Sequence, residues 1–133
     1  MRDNRKAYTD LSQSKKLAEI LPLESADQTW ERIAIAGANL NVPEEIQYRH
    51  NGDMLFKYYS GIGTPCWSLA ALFGILPKFI GDYGKCLYYD VDGYYCGYMD
   101  DGNFMLTIQE TKADDPVDAC VEMIVKLHKL KML

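Results

Sequence analysis

Long apolar runs are missing from this 133-residue chain. The best run, residues 67–76, is about half of the ~18 residues that a membrane helix needs. The first six residues, Met-Arg-Asp-Asn-Arg-Lys, are not followed by an apolar stretch, so the pattern predicts no secretory signal. We therefore expect no membrane contact, a cytoplasmic location and reduced cysteines.

Signatures of the common enzyme and metal classes are also absent. The sequence contains no phosphate-binding loop, dinucleotide fingerprint, serine nucleophile elbow or zinc-protease helix. There are two histidines and four cysteines, and none has the close spacing of a structural zinc site. Asp90-Val-Asp92-Gly93 resembles the opening of a calcium loop, but its glycine comes two positions too early. We expect neither a metal nor a cofactor.

Basic residues are scarce between residues 81 and 122. Residues 81–122 hold ten acidic and two basic side chains, within a chain of net charge −5. A phosphate-binding surface needs clustered Lys and Arg, so direct nucleic-acid binding is not expected. The ordinary explanation is that turns and helix starts attract Asp. The alternative is a negative patch that binds a basic partner or inhibits a nucleic-acid enzyme.

What the sequence does contain is a tyrosine-rich stretch, residues 85–109, broken by Asp92-Gly93 and Asp101-Gly102. Asp-Gly between strand-forming runs favours tight hairpin turns. The pattern predicts a three-stranded β-meander inside a single α+β domain covering residues 1–133, with residues 1–9 as a loose tail. The antiparallel sheet, of four to six strands, is expected to pack against two or three helices.

Helix starts are marked at three places. Asp10 and Gln13 form a capping-box pattern, Thr64-Pro65 predicts a second helix, and Asp115-Pro116 predicts a third. The last helix has an apolar stripe at steps of three and four: Val117, Cys120, Val121, Ile124, Leu127 and His128. Residues 25–37 fit a helix or a strand equally well. Residues 45–50 and 54–59 flank Asn51-Gly52, which indicates another hairpin.

The meander register sorts side chains onto two faces. A two-residue loop at Asp92-Gly93 would place Tyr89 opposite Cys96, and the next loop would place Met99 opposite Phe104. One face then carries Cys86, Tyr88, Tyr95, Met99, Phe104, Leu106 and Ile108, and the other carries Leu87, Tyr89, Val91, Tyr94, Cys96, Tyr98, Met105 and Thr107. The first face has the strongest apolar run, so we assign it to the core beneath the last helix. Tyr89, Tyr94 and Tyr98 then form an exposed binding surface, unless the tyrosines serve only as strand formers.

Cys66 is the one nucleophile candidate. At the second position of the predicted helix, the helix dipole and free N–H groups would lower its pKa. Cys66-Trp67 resembles the corresponding dipeptide of papain-type proteases, but the likeness covers two residues. The single histidine downstream, His128, falls on the last helix rather than on a strand. A buried apolar cysteine is the simpler interpretation.

Three segments carry a family resemblance: residues 17–27 (LAEILPLESAD), 65–77 (PCWSLAALFGILP) and 113–124 (ADDPVDACVEMI). On these the chain resembles short uncharacterised proteins encoded in phages and mobile elements of gut bacteria. The segments are helices and helix ends, so the resemblance implies a mobile-element context and no site residue.

The leading functional hypothesis is a non-enzymatic accessory protein. It would bind a protein partner, or a second copy of itself, through the Tyr89, Tyr94 and Tyr98 face or the acidic turns. The alternatives are a small cysteine-dependent enzyme that uses Cys66 and an acidic inhibitor of a nucleic-acid enzyme.

Overall fold

A computed structural model describes residues 6–31, 45–48, 63–100 and 103–133. The chain divides into two compact units. The first comprises Met1–Ala7 and Leu72–Leu133, and the second comprises Tyr8–Ala71. The single domain expected for residues 1–133 stays a prediction.

The described residues confirm an α+β fold with antiparallel sheets and three α-helices. The elements are α1 (Leu11–Ala18), β1 (Gln28–Glu31), β2 (Glu45–Tyr48), β3 (Gly63–Cys66), α2 (Leu69–Ile75), β4 (Phe79–Ile80), β5 (Tyr83–Asp90), β6 (Gly93–Asp100), β7 (Asn103–Ala113) and α3 (Pro116–Lys129). The strands form two sheets, β2-β1-β3 and β4-β5-β6-β7, rather than one. No helix in the described parts of the chain is long and apolar enough to cross a membrane.

In the second unit, α1 begins at the predicted capping box. The Asp10 side chain accepts a hydrogen bond from the Gln13 backbone, and the Gln13 side chain accepts one from the Asp10 backbone. The ambiguity over residues 25–37 is resolved for residues 28–31, which form the central strand β1. Asn51-Gly52 and the predicted strand at 54–59 lie outside the described residues.

The helix predicted to start at Thr64-Pro65 begins four residues later, with Ser68 as its cap and Leu69 as its first residue, so that prediction is wrong. Thr64 and Pro65 belong to the edge strand β3, where Thr64 pairs with Trp30 of β1. An edge strand tolerates proline because one row of its N–H groups points away from the sheet. The residue that caps α2 is Ser68, whose Oγ accepts a hydrogen bond from the Ala71 N–H at 3.2 Å. Asp27 in turn accepts hydrogen bonds from the Ser68 N–H and hydroxyl.

Residues 6–9 were predicted to belong to a loose tail, but hydrogen bonds hold them. In the second unit, Thr9 is fully buried and its N–H donates to the Trp67 carbonyl at 3.0 Å. In the first unit, the Lys6 N–H donates to Asp115, and the Lys6 ammonium lies 2.8 Å from Asp118. Residues 1–5 lie outside the described part of the chain.

The β5–β6 hairpin turns one residue earlier than predicted. Asp90 pairs with Gly93, so Val91 and Asp92 form the loop and Tyr89 lies opposite Tyr94 rather than Cys96. Gly93 has a φ of 143°, and a Cβ there would lie 2.7 Å from the Ala113 carbonyl oxygen. The close approach of Ala113 requires glycine at position 93. Gly93 therefore belongs to the strand and not to the turn. The shift changes each partner by two residues, so the predicted division of β5 and β6 into two faces holds.

The pairing of β6 with β7 is regular up to Tyr98 and irregular beyond it. Tyr98 pairs with Gln109, but Met99 then pairs with Thr107 instead of the predicted Phe104. A bulge adds residues to one strand and breaks the simple alternation of faces. The face of each residue in 103–108 is therefore not fixed by alternation from the regular part.

Helix α3 starts as predicted, with Asp115 as N-cap and Pro116 in the first turn. It covers the opposite sheet face from the one predicted. The Thr111 hydroxyl donates to the Ala119 carbonyl at 2.7 Å, and Cys96 and Tyr98 on the same face are fully buried. The assignment of the Cys86, Tyr88 and Tyr95 face to the core is therefore wrong.

The buried stripe of α3 agrees with the sequence pattern except at its end. Val117, Cys120, Val121, Ile124 and Leu127 are buried. His128 is exposed, contrary to its predicted place on the apolar face.

Lys85 and Tyr98 tie the end of α2 to the covered sheet face. The Lys85 ammonium donates to the carbonyls of Phe73 at 2.6 Å and Leu76 at 3.2 Å, and it lies 4.6 Å from the Phe73 ring centroid. A cation at these carbonyls complements the negative end of the helix dipole. The Tyr98 hydroxyl donates to the Pro77 carbonyl at 2.7 Å. The polar groups where α2 ends thus receive donors from the sheet.

Removal of the α3 cap is expected to destabilise the first unit. Asp115 is nearly buried and accepts hydrogen bonds from the backbone N–H groups of Val117 and Lys6. Asp115→Ala should lower the free energy of unfolding by about 1–2 kcal/mol, measured by urea titration. Asp114→Ala, at an exposed neighbour, is the control and should change it by less than about 0.5 kcal/mol. Equal effects of the two substitutions would contradict the capping role.

A second prediction concerns alkaline pH. Burial raises the pKa of Tyr98 to about 12, above the value of about 10 for an unfolded tyrosine. The stabilisation from this protonated hydroxyl is complete below pH 10 and is lost as pH rises from 10 to 12. At pH 8, Tyr98→Phe should lower the free energy of unfolding by about 1–2 kcal/mol, because the Pro77 carbonyl loses its donor.

That deficit should shrink between pH 10 and 11.5, since the variant has no hydroxyl to titrate. Urea unfolding at both pH values measures it, with Tyr89→Phe at an exposed ring as the control. A deficit that stays constant across this range would show that the Tyr98 hydroxyl does not titrate differently in the folded and unfolded states.

Candidate tyrosine-stack surface

The sheet face opposite α3, called here the outer face, carries a stacked tyrosine pair. The regular part of this face comprises Gly84, Cys86, Tyr88 and Asp90 of β5, Gly93, Tyr95, Gly97 and Met99 of β6, and Glu110 and Lys112 of β7. Tyr88 and Tyr95 are directly opposed across the strands, with ring centroids 5.0 Å apart and planes 7° from parallel. Both are half-buried. Within the described part of the first unit, both α3 and the end of α2 contact the other face.

Two charged side chains from β7 complete the arrangement. The Tyr88 hydroxyl donates to Glu110 Oε2 at 2.7 Å. The Lys112 ammonium lies 5.8 Å from the centroid of the Tyr95 ring. Burial, followed by the hydrogen bond to Glu110 and its negative charge, raises the pKa of Tyr88. Tyr88 therefore remains a protonated donor at neutral pH.

Gly97 permits the Glu110 side chain to cross the face. Gly97 pairs with Glu110, and a Cβ at position 97 would lie 3.6 Å from Glu110 Cγ and 3.0 Å from the Gln109 carbonyl oxygen. The absence of a side chain lets the Glu110 stem lie close to the strand. Its carboxylate can then reach Tyr88, two strands away.

A second tyrosine pair lies on the other side of the same hairpin. Tyr89 and Tyr94 are directly opposed, with centroids 5.1 Å apart and planes tilted by 55°. Tyr89 is 67% exposed, and Val91 in the turn is 87% exposed. The hairpin end thus presents aromatic surface on both faces.

The three predicted binding residues do not form one exposed surface. Tyr89 and Tyr94 lie together at the hairpin end, but Tyr98 is 0% exposed and forms part of the core. The pair that the prediction missed is Tyr88 and Tyr95, which had been assigned to the interior. The missed signal is Glu110 and Lys112, whose charges lie on the same face and disfavour burial beneath a helix.

Cys66 does not have the surroundings of a nucleophile. It ends strand β3 instead of starting a helix, and it is 0% exposed. Burial, with a smaller contribution from the negative charge of Asp27, raises the pKa of Cys66 to about 12. The predicted lowering of its pKa by a helix dipole is therefore wrong, and its burial fits the alternative of an apolar core cysteine.

The remaining cysteines belong to the first unit. Cys96 and Cys120 are fully buried and joined by a hydrogen bond. This hydrogen bond, together with burial, raises the pKa of Cys96. The same hydrogen bond lowers the pKa of Cys120. Cys86 lies on the outer face, half-buried, with Sγ 3.4 Å from the Gly97 carbonyl oxygen. Among the described residues, no three His, Cys, Asp or Glu side chains are grouped so that they could hold a metal ion.

Alkylation rates should separate these thiols. In the native protein at pH 7.5, iodoacetamide should modify Cys86 first, because it is the one thiol that is not fully buried. Cys66 should react at least roughly tenfold more slowly, since it is inaccessible and almost wholly protonated. Peptide mass spectrometry over a time course measures the order, with the urea-unfolded chain as control. Faster modification of Cys66 would restore the nucleophile hypothesis.

Comparisons of the chain with protein-family models, curated proteins and solved structures find no match.

Proposed function

We propose that this chain is a non-enzymatic accessory protein of a mobile element, and that it binds a partner protein through its outer face. The observation that carries the proposal is the Tyr88–Tyr95 stack on the face opposite α3. The mobile-element setting rests on the sequence resemblance alone. The predicted surface of Tyr89, Tyr94 and Tyr98 is replaced, because Tyr98 is buried.

The tyrosine stack has properties that favour protein binding. Tyrosine supplies a large contact area with few rotatable bonds, and it is enriched among the residues that dominate interfaces. Here the rings are already held by their mutual stacking and by the Glu110 hydrogen bond to Tyr88. Side chains ordered before binding lose less entropy in the complex.

The charges of this region favour protein over nucleic acid as the partner. Glu110 is exposed on the outer face, and Asp90 and Asp92 are exposed at the hairpin end. The Lys112 ammonium lies over Tyr95, and the Lys126 ammonium of α3 donates to the Glu110 backbone carbonyl at 3.4 Å. A surface with this balance repels a phosphate backbone.

The test is affinity capture of the partner with matched variants. Tyr88→Ala/Tyr95→Ala should weaken capture at least about tenfold, since central tyrosines commonly contribute 1–2 kcal/mol or more each. Leu130→Ala is the control, because Leu130 is 49% exposed at the end of α3, which covers the opposite face of the sheet. Tyr89→Ala/Tyr94→Ala tests the opposite face and should change capture by less than about threefold. Quantitative mass spectrometry and analytical ultracentrifugation measure binding to other proteins and to a second copy.

Alkylation of Cys86 tests the proposal independently, in the chain without substitutions. The Cys86 thiol is on the outer face beside the stack. The bound partner should slow its alkylation by iodoacetamide. A complex that survives the Tyr88/Tyr95 double substitution and leaves Cys86 unprotected would overturn the proposal.

A further inference from the structure

The two stacked rings of the outer face differ in what lies over them. A cation lies over the Tyr95 ring, and among the described residues none lies over the Tyr88 ring. The aromatic stack runs across the strands from β5 to β6. Lys112 lies over the Tyr95 ring, which stacks on one side of Tyr88. Among the described residues, no ring or cation lies over the other side of the Tyr88 ring. Strand β4 pairs only with Tyr83 and Gly84 and therefore ends before it reaches Tyr88.

Two carboxylates lie near Tyr88 on the outer face. Asp90 is two residues along β5, on the same face and exposed. Glu110 accepts the Tyr88 hydroxyl hydrogen bond through Oε2, and a carboxylate can accept several hydrogen bonds at once. Asp92 adds a further exposed negative charge at the turn.

Together these groups match one kind of side chain. Arginine stacks its planar guanidinium on an aromatic ring and donates in-plane hydrogen bonds to carboxylates. Lysine would satisfy the charge but would not stack in this way. An uncharged side chain would leave the negative charges unpaired.

We infer that the outer face receives an arginine of its partner protein, stacked on Tyr88 between Asp90 and Glu110, so that Tyr88 and Tyr95 lie between that arginine and Lys112. This inference rests on the proposed function and names the chemistry of the partner segment.

A pair of synthetic peptides tests the inference on the whole chain. One is an amidated Gly-Arg repeat, and the other replaces each arginine by citrulline, which keeps the shape and removes the charge. The arginine peptide should shift the Tyr88 ring resonances in NMR and slow the alkylation of Cys86. The citrulline peptide should bind at least about tenfold more weakly. Raising NaCl from 0.05 to 0.5 M should weaken the arginine peptide, because exposed charges are then screened.

Charge variants locate the site. Asp90→Asn should weaken the arginine peptide by about three- to fivefold, which is within the range of exposed ion pairs. Asp82→Asn removes an exposed carboxylate beyond the other end of β5 and should have no effect. Lys112→Gln should strengthen binding, because it removes the resident positive charge.

Equal binding of the two peptides, or equal effects of Asp90→Asn and Asp82→Asn, would overturn the inference. The proposed function fails separately, through partner capture that survives Tyr88→Ala/Tyr95→Ala. If that capture is lost with the tyrosines but the arginine peptide does not bind, the surface binds a protein by other means and the arginine assignment is wrong.

Discussion

The contact between α3 and one face of the four-stranded sheet is the constraint on which the rest of the first unit depends. Side chains alternate strictly along a strand, so a helix that covers Cys96 and Tyr98 leaves Tyr88 and Tyr95 on the other side. Thr111, which donates to the backbone of α3, is a small residue that allows close approach of helix and sheet. The aromatic surface therefore follows from where the helix lies.

The sequence predicted much of this unit, because turn and cap signals act locally. It predicted the α+β class, the cap at Asp115 and the division of β5 and β6 into faces. It could not decide which face is buried, because that depends on distant packing. The predicted last strand ended at Gln109, so it did not include Glu110 and Lys112. The apolar run before these two residues then decided which face was assigned to the core.

Tertiary pairing also overrode local preference at Thr64-Pro65, a dipeptide that suits a helix start. The strand at residues 28–31 uses those residues as its partner, and the helix starts after Ser68 instead. Cys66, which was predicted to lie at this helix start, therefore lies at a buried strand end. At the candidate surface, the sequence placed Tyr98 on an exposed face, but Tyr98 is buried, because exposure is a property of the assembled sheet.

The bonds of Lys6 to Asp115 and Asp118 have a consequence for synthesis of the chain. The two partners are separated by more than a hundred residues, and the lysine leaves the ribosome long before the carboxylates do. Neighbouring strands of the four-stranded sheet are joined by short turns and can pair as they emerge. Completion of the α3 cap instead waits until Asp115 and Asp118 have been made, more than a hundred residues after Lys6, so these contacts form later than the hairpins.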